Sequence, residues 1–157
     1  MPYPTRSQIL TMLRPLSNPS AGNNDFFAHV RDDVLWIVTG HMMLSGIWKT
    51  KESFRAATFS KLGPLFAAPG MRLEIPGGEE GIIMGDNGRA VIELRTVNTY
   101  TKSGVLYDQH YSWHMRFDED SRISEVKAFM DTAHVEKVLG AELEKQKGLM
   151  RNTRARM

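Results

Sequence analysis

Three charged side chains could run acid–base chemistry if the fold brings them together. They are Glu93 and Arg95 in "AVIELR" (90–95) and Asp131 in "FMDT" (129–132). A carboxyl group in an apolar cavity is held back from ionising, so it can give and take a proton near neutral pH. A guanidinium or a phenol beside it can stabilise an oxygen that gains charge. Phenols are supplied by "VLYDQHYSWHMRF" (105–117), whose odd positions include Tyr107, Gln109, Tyr111 and Trp113. Each group also has a plainer role. Asp131 precedes a helical stretch and suits a helix N-cap. Glu93 and Arg95 can form a surface ion pair. The two tyrosines, with Trp36 and Trp113, can be ordinary core aromatics.

The elements around these residues decide between the roles. Residues 105–117 alternate with a period of two, which predicts a strand with two unlike faces. A loop at 102–104 pairs it with the strand before, opposing residues whose numbers sum to 206. Arg95 then lies opposite Tyr111, Glu93 opposite Trp113 and Val97 opposite Gln109, all on one face. A three-residue loop at 119–121, with Ser121 in the left-handed conformation, makes the next sum 240 and turns Asp131 toward Gln109. A two-residue loop would send Asp131 to the other face. Burying Glu93 and Arg95 is costly unless they are paired in a polar cavity. The aromatics beside them argue against full exposure. A cavity between sheet and helices meets both conditions.

The remaining pattern predicts helices at 5–14, 24–31, 50–66 and 132–147. It predicts strands near 34–40, 71–75, 79–85, 89–101, 105–117 and 122–130. Thr5 or Ser7 can cap the first helix and Thr50 the third. "GDNGR" (85–89) carries Asn-Gly, a strong hairpin signal. Helices, then an antiparallel meander, then a closing helix describe an α+β domain over 1–147. The turn-rich "LSNPSAGNND" (16–25) reads as a loop within it. Residues 148–157 read as a frayed basic tail.

The net charge of +2 is uneven. From 141 onward Lys145, Lys147, Arg151, Arg154 and Arg156 outweigh Glu142 and Glu144, so the body is slightly acidic. This gives no basis for a nucleic-acid partner. No apolar run is long enough for a membrane span. The first residues lack the pattern of a secretory signal. There is no cysteine, which fits a reducing compartment, and the cytoplasm is the expected location. His110 and His114 fall on the even, solvated or partner-facing side with Asp108 and Arg116. The histidine spacing offers no metal site.

Together "FFAHVRDDVLWIVTG" (26–40), "LSGIWKTKESF" (44–54), "AVIELR" (90–95), "GVLYDQHYSWHMRF" (104–117) and "RISEVKAFMDTAHVEKVLG" (122–140) resemble the NTF2-like superfamily, in particular its SnoaL-like and ketosteroid-isomerase-like enzymes. The resemblance covers about residues 5–140. It implies a cone-shaped α+β barrel with a deep pocket, a homodimer through the sheet, and chemistry with neither metal nor organic cofactor. It also implies isomerisation, cyclisation or a related rearrangement of a hydrophobic carbonyl-bearing metabolite, of polyketide or terpenoid type. Asp131 matches the catalytic carboxylate of the family's Tyr-x-Asp motif, with Phe129 in place of the Tyr. With the paired faces read from spacing, this makes Asp131, Tyr111, Arg95 and Glu93 the catalytic candidates. Tyr107, Gln109, Trp113, Trp36, His41 and Phe129 become substrate-binding candidates. A binding or assembly module of the same fold is the alternative.

Overall fold

The computed structural model describes residues 2–19 and 23–156. Residues 20–22 of the expected loop and Met157 of the expected tail lie outside them. Helix α1 (Arg6–Leu13) starts at Thr5, whose side chain accepts from the Gln8 N–H while Gln8 reaches back to the Thr5 N–H. This reciprocal pairing satisfies two of the donors a helix start leaves open. The short helix α2 (Asn24–Phe27) leads into strand β1 (Val30–Val38), then β2 (Gly46–Trp48). Thr50 caps helix α3 (Lys51–Ala57) by accepting from the Ser53 N–H. Helix α4 (Phe59–Leu62) follows after a break at Thr58. Strands β3 (Leu73–Glu74), β4 (Ile82–Met84), β5 (Arg89–Thr96), β6 (His110–Phe117) and β7 (Ile123–Met130) complete the sheet.

The seven strands run in the order β2-β1-β7-β6-β5-β3, with β4 also on β5. The β5–β6–β7 portion is the expected meander, but β1 joins β7 in parallel, so the sheet is mixed. One face is buried. Ala90, Ile92 and Leu94 of β5 share it with Tyr111, Trp113 and Met115 of β6, Val126 and Ala128 of β7, and Val34, Trp36 and Val38 of β1. Against them pack Ile9, Leu13, Phe26, Phe27, Phe54 and Leu62 from the helices and Val135, Val138 and Leu139 from the chain after β7. The architecture is α+β, as the order of elements implies.

After β7 a single helical turn, α5 (Thr132–His134), passes through a π-helical stretch, Val135–Gly140, into α6 (Ala141–Arg156). Residues 148–156, expected to fray, thus continue α6 as helix, with their side chains exposed.

The expected 85–89 turn joins β4 to β5. Asn87 and Gly88 both have positive φ, at 55° and 75°. A Cβ on Gly88 would come within 2.5 Å of the Phe117 carbonyl oxygen and 2.6 Å of the Tyr3 ring. Gly88→Ala is therefore expected to cost more than about 1 kcal/mol, read as a lower midpoint in urea unfolding.

Both loops of the meander form as read, but neither register persists. At 101–104 the Thr101 N–H donates to the Val105 carbonyl and the Tyr107 N–H to the Thr99 carbonyl, which keeps the sum of 206. Then the Thr96 N–H donates to the Gln109 carbonyl. Three steps on one strand now match two on the other. The extra residue lies at Val97–Asn98, where Asn98 has φ 43°. Beyond it β5 and β6 pair with Arg95 opposite His110, Leu94 opposite Tyr111, Glu93 opposite Ser112 and Ile92 opposite Trp113. At 118–122 Ser121 is left-handed, with φ 60°, as read. A second irregularity between Arg116 and Phe117 then shifts β7 by one residue. Each bulge flips the parity of the strand beyond it.

Candidate functional site

The two bulges decide which candidates reach the interior. Even positions of β5 and β7 point inward with odd positions of β6. Ile92, Trp113, Ala128 and Val38 form one row across four strands. Leu94, Tyr111 and Met130 form the next. Ala128 stands between Trp113 and Val38, and its methyl group leaves a hollow that a larger side chain would fill. Over that hollow lie Phe54 of α3, Thr58 and Leu62, with Leu44 and Met71 from the loops. The result is an apolar cup with a cavity of about 40 Å³, room for a water molecule or two.

Aromatic rings set the cup's walls. Trp36 stacks on Phe54 at 4.0 Å and meets Trp113 edge-on at 5.4 Å. Tyr111 meets Trp113 edge-on at 6.4 Å. Trp113 is 3% exposed, yet its indole N–H has no hydrogen-bond partner. A buried donor left unpaired costs about 1–3 kcal/mol. The Tyr111 hydroxyl lies 3.7 Å from the Met71 sulfur, a weak acceptor. Burial pushes the Tyr107 and Tyr111 phenols above their ordinary range. They are neutral donors at physiological pH.

Behind Tyr111 the polar groups hold one another. The Gln109 amide donates to the Asp131 carbonyl at 2.9 Å and to the Tyr107 hydroxyl at 3.4 Å. Its oxygen accepts from the Asp131 and His110 N–H groups, both at 3.0 Å. Tyr107 sits between Phe66 and the His134 ring, which stacks on it at 5.5 Å. Gln109 and Tyr107 thus form a buried brace that ties β6 to the chain after β7.

Of the expected site residues, Tyr111, Trp113 and Trp36 line the cup, and Tyr107 and Gln109 brace its end. The others lie elsewhere. Glu93 and Arg95 do not share the face of Tyr111 and Trp113, because the bulge at Val97–Asn98 turns them outward. Arg95 donates from Nε and Nη2 to one oxygen of Glu74, at 2.8 and 2.6 Å, with both side chains partly exposed. Phe129 lies on the outer face, against His114 and under the Lys127 ammonium. His41 is exposed between β1 and β2. Asp131 does meet Gln109, but through its main chain. Its exposed carboxylate accepts from the His134 N–H at 3.0 Å and caps α5.

Asn is as good a cap as Asp. Asp131→Asn should leave stability within about 0.5 kcal/mol, and Asp131→Ala should cost about 1 kcal/mol, both read by thermal unfolding.

The sequence reading missed Phe54, Thr58, Leu62, Leu44 and Met71 as parts of the site. Phe54 and Leu62 were legible as the buried stripe of a helix. Leu44 and Met71 sit in irregular segments with no period to mark them. Among the described residues no group of three or more His, Asp or Glu is placed to hold a metal ion. Among them no helix is long and apolar enough to cross a membrane.

No family model matches the chain, and no curated protein does. Solved structures of the same fold do. PrhC from Penicillium brasilianum aligns with a TM-score of 0.70 at 12% identity, over 90% of this chain and 93% of its own. An NTF2-like protein from Burkholderia thailandensis aligns at 0.65 and 14% identity, over 87% and 98%. The pinacolase BvnE from Penicillium brevicompactum aligns at 0.62 and 15% identity, over 87% and 86%.

Proposed function

Starting from an NTF2-like cone fold, we propose that this protein is a cofactor-independent enzyme of the isomerase or rearrangement type, acting on a small hydrophobic molecule that bears a carbonyl. The observation that carries the reading is that Trp113, whose buried N–H has no partner, and Tyr111, a neutral phenol, line the same apolar cup with their rings in edge-on contact. A carbonyl oxygen bound there would accept from both groups and displace the Met71 sulfur from the phenol. Donors already fixed in a dry site stabilise charge developing on that oxygen better than water can. The protein's part in the chemistry is electrophilic. A polyketide or terpenoid intermediate is the metabolite type the family resemblance suggests, and the pinacolase supports the fold as a host for a cofactor-independent enzyme.

A second reading, a binding module without turnover, is favoured by the lining itself, which contains no carboxylate and no imidazole. Incubation with small cyclic ketones, with products identified by gas chromatography–mass spectrometry, separates the two. The enzyme converts at least one ketone to an isomer. Binding without conversion would assign the cup to the module.

We also propose that two copies associate through the outer sheet face. One row across that face reads Ile47, Ile37, Lys127, His114, Val91 and Ile83. Ile47 and Ile83 are about two-thirds exposed at its ends. Ile83→Asp is expected to shift sedimentation from dimer to monomer. A wild type that sediments as a monomer would remove the proposal.

A further inference from the structure

A second hollow, about 240 Å³, lies beside the cup and is lined in part by Asn23, Arg55 and Gly70. The two cavities have Phe59, Leu62 and Met71 in common, so these three side chains are the wall between them. Phe59 and Met71 are only partly buried, and a methionine side chain can take another rotamer at little cost. Met71 also occupies the Tyr111 hydroxyl, so moving it would open the passage and release the phenol together.

Three buried side-chain polar atoms among the described residues have no hydrogen-bond partner: the Trp113 N–H, the Asn23 side-chain oxygen and His134 Nε2. Trp113 is one of the residues that line the cup and Asn23 one of those that line the outer hollow, and both atoms are covered until a neighbouring side chain moves. Unpaired buried polar groups are uncommon and each calls for a reason. One ligand spanning both cavities would satisfy the two at once. The inner end needs an acceptor for the indole N–H. The outer end needs a donor for the Asn23 oxygen. Arg55, held by Asn24 and stacked over Phe27, adds positive charge at that end, which disfavours an ammonium as the donor.

We propose that the substrate is a compact keto alcohol or keto amide. Its carbonyl would be held by Trp113 and Tyr111, and its hydroxyl or amide N–H by Asn23. This rests on the carbonyl-binding reading of the cup and adds the second contact and the size. An apolar cavity of about 150 Å³ takes a benzene, so the outer hollow suits a molecule of about ten non-hydrogen atoms. That is one ring or a short chain, not a polycycle.

Three probes test the inference: 4-(hydroxymethyl)cyclohexanone, 4-methylcyclohexanone, which lacks the donor, and (4-methylcyclohexyl)methanol, which lacks the ketone. Affinity and the indole N–H signals are followed by NMR, with Trp113 assigned from the spectrum of Trp113→Phe. The keto alcohol should bind about three- to tenfold more tightly than the plain ketone. Both ketones, and not the alcohol, should move the Trp113 N–H signal downfield. Asn23→Gly, which suits the φ of 62° at that position, should bring the keto alcohol to the affinity of the plain ketone. If the Trp113 signal moves but Asn23→Gly leaves the keto alcohol unaffected, the two-ended substrate is wrong and the carbonyl cup stands. If no ketone moves the signal, both fall.

Discussion

Replacing Tyr111 by Phe is expected to lower kcat by about 10²–10³-fold, the usual effect of removing one donor from a charge-stabilising site. The fold should survive. The lost hydroxyl gives up a weak contact to the Met71 sulfur, about 1 kcal/mol at most. Turnover and thermal midpoint measured on the same preparations would show the first falling and the second nearly still. Burial holds the phenol well above its ordinary range. The neutral donor is the working form, so its contribution is lost only as pH rises through that raised value. The wild-type rate should therefore show no alkaline fall from this group up to about pH 10. Unchanged turnover in the variant would take the phenol out of the chemistry and leave the cup as a binding site.

Replacing Trp36 by Ala is expected to cost about 3–5 kcal/mol, as for other fully buried large aromatics. Its ring stacks on Phe54 and meets Trp113, Phe26 and Phe27 within 6.4 Å. It is the piece that joins β1 to α3 and shapes one side of the cup. For a chain of this size the loss corresponds to a melting point lower by roughly 10 °C or more. Phe129→Ala, on the outer face, should change the midpoint far less. Equal losses at both positions would contradict the placement of the core.

What the chain made legible divides along physical lines. Local chemistry could be read. Thr5 and Thr50 cap their helices, Ser121 turns left-handed, and the 101–104 and 118–122 loops close as their residues suggest. The odd face of β6 could be read too, because its alternation is nearly unbroken. The errors came from carrying a turn's register down the whole strand. One extra residue at Val97–Asn98 and one between β6 and β7 reverse the face of everything beyond them. The correction for β5 was present in its own pattern, since Ala90, Ile92 and Leu94 alternate with Val91, Glu93 and Arg95. A strand that hides its apolar set must turn Glu93 and Arg95 to water. Asp131 could not be settled locally, because a cap and a catalytic carboxylate ask for the same residue at the same place.

The catalytic candidates drawn from charge therefore left the interior, and those drawn from ring and hydroxyl stayed. That outcome moves the expected chemistry from proton abstraction by a carboxylate to polarisation of a carbonyl by two neutral donors.

A crystal structure with cyclohexanone soaked to saturation tests this most directly. The account predicts the ketone's carbonyl in the cup, its oxygen within about 3.2 Å of Trp113 Nε1 and of the Tyr111 hydroxyl, with Met71 displaced to make room for the ring. A ketone found only on the outer surface, with the cup closed and Met71 still against Tyr111, would contradict it.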